Sequence, residues 1–333
     1  MAASASLAAD TRSLLDHRLL VVTGKGGVGK TTITAGLARA AASLGKRVLL
    51  VEVDAKGDLP ALFDRPASGF SPKPFAESID GLAMDTEAAL REYLKIYAKV
   101  PFVGKLGPLP KMLDFVAQAA PGVKEILVIG KICYEVKQAQ EGKAPWDLVI
   151  VDASSTGHVI AQLGAARSLQ NLIHVGGISK QLEWMEAILG DAEQSGLVVV
   201  CTPEEMPIRE TTELLSRAAT ELSIAPVAVV MNRRIPDVFS ADDRIVFERF
   251  RTGAVQDSVS AMVGPEGRTV IEGVALLDDI CSEQAGYEAE LRAAVAVPVS
   301  VVPAFFVRDQ GTRILRHVSN ALLREVHPIA GAS

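Results

Sequence analysis

The chain carries a run of residues suited to binding a polyphosphate, GKGGVGKTT at 24–32. Its glycines at 26, 27 and 29 are expected to take positive φ, which would turn successive backbone N–H groups towards an anion. The helix predicted to follow adds partial positive charge at its N-terminus. The run therefore predicts a P-loop whose nucleotide-binding residues are Gly24, Lys25, Gly26, Gly27, Val28, Gly29, Lys30, Thr31 and Thr32.

Side chains of this loop suit distinct parts of a magnesium nucleotide. Lys30 is expected to neutralise the β and γ phosphates, Thr31 to hold Mg²⁺ through its hydroxyl, and Thr32 to reach the α phosphate. Lys25 has no such task in its own site, because Lys30 already serves the γ phosphate. At the outer turn of the loop, Lys25 could instead reach a nucleotide on a facing subunit, as an arginine finger does. A solvated loop lysine is the alternative.

Two aspartates follow apolar runs typical of buried strands. Asp54 ends KRVLLVEVD, close to where a γ phosphate would sit, and could orient an attacking water and accept its proton. A helix-capping aspartate is the alternative for Asp54. Asp152 ends WDLVIVD, the position of a carboxylate that holds Mg²⁺ together with Thr31. The predicted catalytic residues are Asp54, Lys25 and Lys30, and the predicted metal ligands are Thr31 and Asp152.

The base is predicted to be adenine, so the expected ligands are ATP and Mg²⁺. A guanine site would favour an aspartate three positions after Asn232, and Ile235 stands there instead. Asn232 is the predicted hydrogen-bonding partner of the adenine edge. Pro303, which ends the last predicted strand, is the predicted wall of the base pocket.

The elements that must position these residues alternate along the chain. Apolar runs predict strands at 19–23, 46–54, 146–152, 196–202, 225–232 and 297–303. Helical periodicity separates them, as at 31–44, 206–222 and 311–326. Continuous Val, Ile and Leu runs are typical of parallel strands buried on both faces. The predicted fold is therefore α/β, a doubly wound, mostly parallel sheet with its ligand at the carboxyl ends of the strands.

The 333 residues are predicted to form one P-loop ATPase domain over 1–333. Two stretches, 64–145 and 158–194, are predicted to be helical subdomain insertions packed on the nucleotide-binding core and laid over the sheet edge. A third, more charged helical stretch runs over 241–294. The apolar stripes of the insertions favour packing against the sheet, and an exposed client groove is the alternative.

Composition limits the class of protein. The formal net charge of −6 argues against nucleic acid as a partner. The three cysteines, Cys133, Cys201 and Cys281, are far apart with no C-x-x-C pair, which excludes a sequence-evident zinc or redox site and favours a reducing cytosol. The first residues lack a signal-peptide pattern, and no apolar run is long enough to span a membrane. The expected localisation is cytoplasmic, with a peripheral membrane position left open.

Three motifs in order resemble the ArsA-type ATPases, the family of the arsenite-pump ATPase and of the ATPase for guided entry of tail-anchored proteins. GKGGVGKTT resembles that family's deviant Walker A loop, and VDASSTGH at 151–158 resembles its DTAPTGH second switch. PEEMPIRET at 203–211 is similar to its PE-x-x-x-x-x-ET segment. The wider class of MinD, ParA and nitrogenase iron-protein ATPases shares only the loop.

The resemblance implies a dimeric ATPase that closes on two facing ATP molecules and couples hydrolysis to handling of a membrane-associated client or transporter. Lys25 would reach the partner's nucleotide, Asp54 would position water and Asp152 would anchor the second switch. Glu204 would contact the partner's nucleotide. The partner is then a second copy of the chain or a paralogous ATPase, and the client a membrane protein.

Departures from the family pattern leave alternatives open. The family's first switch usually reads DPAHN, whereas Asp54 is followed here by AKGD, and the Ala-Pro pair of the second switch is Ser154-Ser155. Neither the zinc-bridging C-x-x-C pair of the targeting factors nor a cysteine cluster for arsenite is evident. A nucleotide-binding subunit of a heterodimer with weak hydrolysis of its own, and a small-molecule phosphotransferase, are the alternative functions.

Overall fold

The computed structural model of the chain describes residues 13–97, 122–170, 177–251, 254–306 and 311–326. Within these residues the strands are β1 (Leu19–Gly24), β2 (Val48–Glu52), β3 (Lys73–Ala76), β4 (Ile79–Ala83), β5 (Leu148–Asp152), β6 (Ser195–Cys201), β7 (Pro226–Arg234) and β8 (Val299–Pro303). All six strands predicted from the sequence are present, with bounds shifted by no more than two residues.

The strands form one sheet in the order β3-β4-β2-β5-β1-β6-β7-β8. Neighbouring strands are parallel throughout except for the antiparallel pair β3 and β4. β1 lies between β5 and β6, with β2, β4 and β3 beyond β5 on one side and β7 and β8 beyond β6 on the other. The predicted doubly wound, mostly parallel α/β sheet is confirmed, and it sets the carboxyl ends of β2, β5 and β1 side by side.

Helices connect these strands. In chain order they are α1 (Lys30–Ser43), α2 (Asp58–Ala61), α3 (Thr86–Tyr97), α4 (Val123–Gln140), α5 (Thr156–Gln170), α6 (Gly177–Gly190), α7 (Glu205–Glu221), α8 (Ala241–Arg251), α9 (Ala254–Ala294) and α10 (Thr312–Val326). A short 3-10 turn, Leu14–Asp16, precedes β1. The long α9 is kinked, because Gly264 has a non-helical conformation with φ of 70°.

Each face of the sheet supports its own apolar core. Alternate residues of β1 point to opposite sides, so Leu19 and Val21 join one cluster while Leu20 and Val22 join the other. The first cluster is covered by α3 to α7 and the end of α9, and the second by α1, α2 and α10. This burial on both faces is the reason the parallel strands are apolar almost throughout.

The stretch 64–145 was predicted to be helical, but the structure shows that only part of it is. Its first part contains β3 and β4, which extend the sheet beyond β2. Two strands of four and five residues give too short an alternation to be distinguished from a loop in the sequence. Gly81 of β4 leaves room for the ring of Phe75, since a Cβ at Gly81 would lie 2.2 Å from that ring.

The rest of that stretch is helical as predicted, in α3 and α4, and the apolar, proline-rich run at 98–121 lies outside the described residues. In the second predicted insertion, 158–194, α5 and α6 connect β5 to β6 and cover a face of the sheet rather than its edge. Leu90 of α3 and Ile129, Cys133 and Val136 of α4 belong to the predicted apolar stripes and are buried in that core, so these residues pack against the sheet. The division into subdomains stays a prediction.

No helix among the described residues combines the length and apolar character needed to cross a bilayer.

Candidate active site

The phosphate-binding run forms the connection between β1, which ends at Gly24, and α1, which begins at Lys30. Gly24 has φ of 153°, and a Cβ there would lie 2.1 Å from the Val200 carbonyl oxygen. Gly29 has φ of 91°, and a Cβ there would lie 2.4 Å from Nδ2 of Asn232. The shape of the loop therefore requires glycine at both positions.

Positive φ was also expected at the two inner glycines of the loop. Gly27 has it, with φ of 87°, but Gly26 does not, so that expectation was wrong for Gly26. The turn is completed by the other glycines, and the space around Gly26 and Gly27 is open. Both line the cleft described below, which leaves their backbone accessible to a ligand.

The two lysines of the loop point in different directions. Nζ of Lys30 donates to the Lys25 carbonyl oxygen at 3.2 Å, and its side chain lines the cleft. Burial lowers the pKa of Lys30, against the opposing attraction of Asp152 and Asp54. The ammonium of Lys25 instead forms an ion pair with Oε1 of Glu210 on α7 at 2.6 Å. Lys25 does not line its own cleft, and its side chain is 33% exposed.

Asp152, the last residue of β5, is joined to the start of α1. Thr31 Oγ1 donates to Asp152 Oδ2 at 2.7 Å, and Thr34 Oγ1 donates more weakly to Oδ1 at 3.5 Å. Burial raises the pKa of Asp152 to about 6, although the Thr31 hydrogen bond and Lys30 act in the opposite direction. The two predicted metal ligands, Thr31 and Asp152, are therefore in contact.

Asp54 follows β2 on the first switch loop, 54–58, and is more exposed than Asp152. The Ser154 hydroxyl donates to Asp54 Oδ1 at 2.9 Å, and Nζ of Lys56 lies 3.5 Å from Oδ2. The backbone is strained at this point, because Ala55 has φ of 49°. Each oxygen of the predicted catalytic carboxylate thus has a partner within the chain.

A cleft of 480 Å³ brings most of the predicted residues together at the carboxyl ends of the strands. The predicted residues that line it are Gly26, Gly27, Gly29, Lys30, Thr31, Thr32, Asp54 and Asp152. They come from three separate parts of the chain, which meet because β2, β5 and β1 are neighbours in the sheet. The sequence did not identify Glu52, Lys56 and Asp58, which also line the cleft.

Other predicted residues lie outside this lining. Gly24 and Val28 form the back of the loop, and Val28 is buried in the core. Asn232 is buried, and its Nδ2 donates to the Val28 carbonyl oxygen at 2.8 Å, so it supports the loop from behind. Glu204 is exposed at the N-terminus of α7. Pro303 ends β8 opposite Arg234. The nucleotide contacts assigned to these residues stay predictions.

The sequence held signals for two of the residues that it did not assign. Glu52 is a carboxylate at the end of an otherwise apolar strand, VLLVE. A charged residue is rarely buried in such a strand unless it has a partner or a function. Glu210 lies inside the quoted PE…ET segment, but its pairing with Lys25 joins residues 185 positions apart and has no local signature. Thr156 donates a long hydrogen bond of 3.5 Å to the other Glu210 oxygen, so Glu210 contacts both the loop and the second switch.

The donors present in the cleft suit a magnesium ion. Thr31, Asp152 and the neighbouring carboxylates offer hard oxygen atoms, which Mg²⁺ prefers, usually with several waters and substrate phosphates completing its shell. Among the described residues no group of three or more His, Cys, Asp or Glu forms a metal cage on its own. The oxygen atoms therefore fit a metal that arrives with a nucleotide.

The three cysteines take no part in this cleft. Cys133, Cys201 and Cys281 are buried and unpaired, and burial raises the pKa of the Cys201 thiol to about 12. Burial also raises the pKa of Cys133. A thiol held in its neutral form is a poor metal ligand, which weighs against a metalloid site at Cys133 and Cys201.

A known family and several of its members match much of the chain. The family model described as an anion-transporting ATPase, ArsA, matches residues 17–183 and 162–253. The ATPase BagA of Mycobacterium tuberculosis is 33% identical over 225 residues. The aligned region covers 66% of this chain and 66% of BagA, which is just under two thirds of each. The ATPase GET3 of Podospora anserina is 25% identical over 254 residues, covering 63% of this chain and 72% of that protein.

Proposed function

Since the chain belongs to the ArsA-type family of anion-transporting ATPases, its class of activity is ATP hydrolysis, and we propose that it works as a magnesium-dependent, nucleotide-gated dimeric switch. One observation carries the proposal: Lys30, Thr31, Asp54 and Asp152 all line a single cleft. A cation, a hydroxyl next to a buried carboxylate, and a more exposed carboxylate are the groups that hydrolysis of a magnesium nucleotide requires.

Each of these side chains has a separate task in hydrolysis. Lys30 offsets the charge of the β and γ phosphates, and the loop amides hold the same oxygens. Thr31 and Asp152 would hold Mg²⁺, which neutralises the charge that develops on the phosphate oxygens. Asp54 orients the attacking water and accepts its proton as the bond between the γ phosphorus and the bridging oxygen breaks.

The position of Lys25 supports the dimeric part of the proposal. Its ammonium lies on the outer side of the loop with Glu210, and not over its own cleft. Both partners are about one third exposed, so the pair can separate at modest cost. In a closed dimer Lys25 leaves Glu210 for the triphosphate bound by the facing subunit. Glu204, at the N-terminus of the same helix as Glu210, is placed by the family resemblance at that interface.

A second candidate function has its own support in the first switch. The family's usual DPAHN is AKGD after Asp54 here, and Lys56 occupies the second oxygen of Asp54. A carboxylate oxygen that contacts a cation is less available to orient the attacking water. The chain could then be the nucleotide-binding partner of a more active paralogue. This candidate shares the cleft and differs only in the rate of hydrolysis.

The rate of ATP hydrolysis per mole of protein, measured against protein concentration, tests the proposal. In a dimeric switch the rate rises with concentration and levels off once dimers saturate. Lys25→Ala should lower the plateau by about 1,000-fold, the lower end of the range for a finger residue. Lys143→Ala is the matched control, because Lys143 is also an exposed lysine in an ion pair but lies outside the cleft.

The outcomes separate the candidate functions. A rate independent of concentration and unaffected by Lys25→Ala would remove the dimeric proposal. No hydrolysis in the parent at high concentration, with ATP still bound, would favour the partner-subunit candidate. ADP formation that appears only with an added small-molecule acceptor would favour the phosphotransferase.

The ion pair between Lys25 and Glu210 gives a second test with the opposite sign. Glu210→Gln keeps the size of the side chain but removes the charge that holds Lys25 in its own subunit. The protein concentration for half-maximal rate should therefore fall, by up to about fivefold for a pair of this exposure. An unchanged concentration dependence would mean that Lys25 does not move between the two positions.

We place the client of the switch at a membrane, on the basis of the family resemblance. A trapped form, Asp54→Asn loaded with ATP, should retain the client because it binds nucleotide without turnover. Purification of this form from membranes and from the soluble fraction, with Lys30→Ala as the nucleotide-free control, identifies what is retained. Retention of soluble proteins alone would contradict the membrane assignment.

A further inference from the structure

Glu52 is a buried carboxylate that the hydrolysis scheme above leaves without a task. It is the last residue of β2, after four apolar residues, and only 3% of its surface is exposed. In the parallel pairing of β2 with β5 it stands directly beside Asp152. Its side chain lines the nucleotide cleft. Two buried carboxylates on neighbouring strands repel each other unless a donor or a cation lies between them.

One oxygen of Glu52 is fully engaged with the first switch. Oε1 accepts backbone N–H groups from Gly57 at 2.9 Å, Asp58 at 3.0 Å and Leu59 at 3.4 Å. These amides lie at the end of the switch loop and the start of α2, where Gly57 has φ of 81°. The same loop carries Asp54 and Lys56. Glu52 therefore fixes the position of the loop that holds the proposed catalytic base.

The other oxygen has no partner. Oε2 is buried and makes no hydrogen bond with any of the described residues. An acceptor left unsatisfied in the interior costs about 1 to 3 kcal/mol, and more when it is charged. Such a cost at the lining of a binding cleft points to a missing ligand that donates hydrogen bonds or carries positive charge.

The neighbours of Glu52 indicate which ligand this is. Asp152, beside it in the sheet, holds the Thr31 hydroxyl and is the proposed metal ligand. Mg²⁺ bound through one or two protein oxygens keeps several waters, and each of these waters is a hydrogen-bond donor. Carboxylates that accept from metal-bound waters without touching the metal are common outer partners of such sites.

We propose that Glu52 is a positioning residue that joins the metal site to the first switch. Its Oε2 accepts a hydrogen bond from a water of the bound magnesium, while its Oε1 keeps hold of the Gly57–Leu59 amides. Metal binding is thereby sensed by the loop that carries Asp54. This inference rests on the proposed magnesium nucleotide site and adds to it a physical link between metal occupancy and the switch.

Glu52→Gln separates the two tasks of the side chain. The glutamine carbonyl oxygen can still accept from the three switch amides, but its NH₂ group replaces the acceptor that faces the metal. Mn²⁺ is the probe, and its binding is measured by electron paramagnetic resonance at saturating ADP, so no turnover is needed. We expect Glu52→Gln to weaken Mn²⁺ binding on the order of tenfold. The melting temperature of the nucleotide-free protein should change little.

Three comparison variants complete the experiment. Glu77→Gln, an exposed glutamate outside the cleft, is the matched control and should behave as the parent. Asp152→Asn alters the proposed direct ligand and should weaken Mn²⁺ binding more than Glu52→Gln does. Glu52→Ala removes both tasks, so it should weaken Mn²⁺ binding and also lower the melting temperature.

Hydrogen exchange reports on the link itself. Adding metal at saturating ADP should slow the exchange of the Gly57, Asp58 and Leu59 amides in the parent but not in Glu52→Gln. Glu52→Gln that binds Mn²⁺ as tightly as the parent would overturn the inference and leave Glu52 with the switch alone. A parent that binds no Mn²⁺ with ADP would instead overturn the proposed magnesium site.

Discussion

The two halves of the cleft are built in different ways. The half formed by the loop, α1 and β5 is fixed by glycine backbone and by the bond between Thr31 and Asp152. The half formed by the first switch is held by one buried carboxylate, Glu52, and by a partly exposed pair between Lys56 and Asp54. The first half keeps the family motif, and the second departs from it. We interpret the loop half as the part that binds and the switch half as the part that acts.

The largest effects on nucleotide binding and hydrolysis should come from two single variants, each of which removes one charged group from one half. Lys30→Ala should abolish nucleotide binding, since it removes the cation of the loop half. Asp54→Asn should bind ATP as the parent does but hydrolyse it 10² to 10⁴ times more slowly, because it removes the base alone. Equilibrium binding of a fluorescent ATP analogue and single-turnover hydrolysis separate the two. Loss of binding in both variants would break the division between the halves.

A pH effect is expected in the loop half, at Asp152. The pKa of Asp152 is raised from 3.8 to about 6, so between these values the folded state holds a proton that the unfolded state has released. The metal-free protein therefore loses stability as pH rises through this window, by up to about 3 kcal/mol. Urea unfolding at pH 4.5 and pH 7 should measure about 2 kcal/mol of this change. Asp152→Asn should lack this contribution, and an equal slope in parent and variant would contradict it.

A matched pair of glycines compares the rigidity of the halves. Gly29 and Gly57 both have positive φ, at 91° and 81°. A Cβ at Gly29 would strike Asn232, whereas at Gly57 the nearest atom is Ala67 Cβ at 4.0 Å. Gly57→Ala should cost about 1 kcal/mol of unfolding free energy from the backbone alone, and Gly29→Ala about 2 to 3 kcal/mol. Equal losses in urea titrations would show that the two halves are equally constrained.

The smallest effect is expected at Lys56. Lys56→Ala removes the cation next to Asp54. The Asp54 carboxylate then keeps its hydrogen bond from Ser154, and its other oxygen is available to the attacking water. Because the side chains of the pair are largely exposed, the ion pair stabilises Asp54 by at most about 1 kcal/mol. The rate of single-turnover hydrolysis should therefore rise by up to about fivefold. ATP affinity should stay within twofold of the parent. A fall in hydrolysis would mean that Lys56 assists the reaction instead of restraining the base.

Regular structure was predictable where the sequence signal is long. Six strands and the helices at 31–44, 206–222 and 311–326 agree with the structure to within two residues, because long apolar runs and a 3.6-residue period are local properties. The hairpin β3 and β4 was missed, since strands of four and five residues carry too little pattern. The helices of 158–194 were recognised, but their place on a face of the sheet depends on contacts distant in sequence.

For the candidate site, too, local features could be predicted from the sequence and contacts between distant residues could not. The loop, its lysines and the aspartates at strand ends could be found in the sequence, because glycines and strand-terminal carboxylates mark their own positions. The partner of Lys25 could not, since Glu210 is 185 residues away. Nor could the division of Glu52 between three amides and an unpaired oxygen, which depends on how the chain folds back after β2.

By itself, the sequence determined that a phosphate-binding loop joins a buried strand to a helix, because that shape is a backbone property of a few consecutive glycines. It also determined that Asp152 ends a strand and that Asp54 lies just after one. Only the tertiary structure decided that those strands lie next to β1, that Thr31 meets Asp152, and that Lys25 turns away to Glu210. Strand order and side-chain pairing arise from the packing of the whole sheet, and no short segment contains that information.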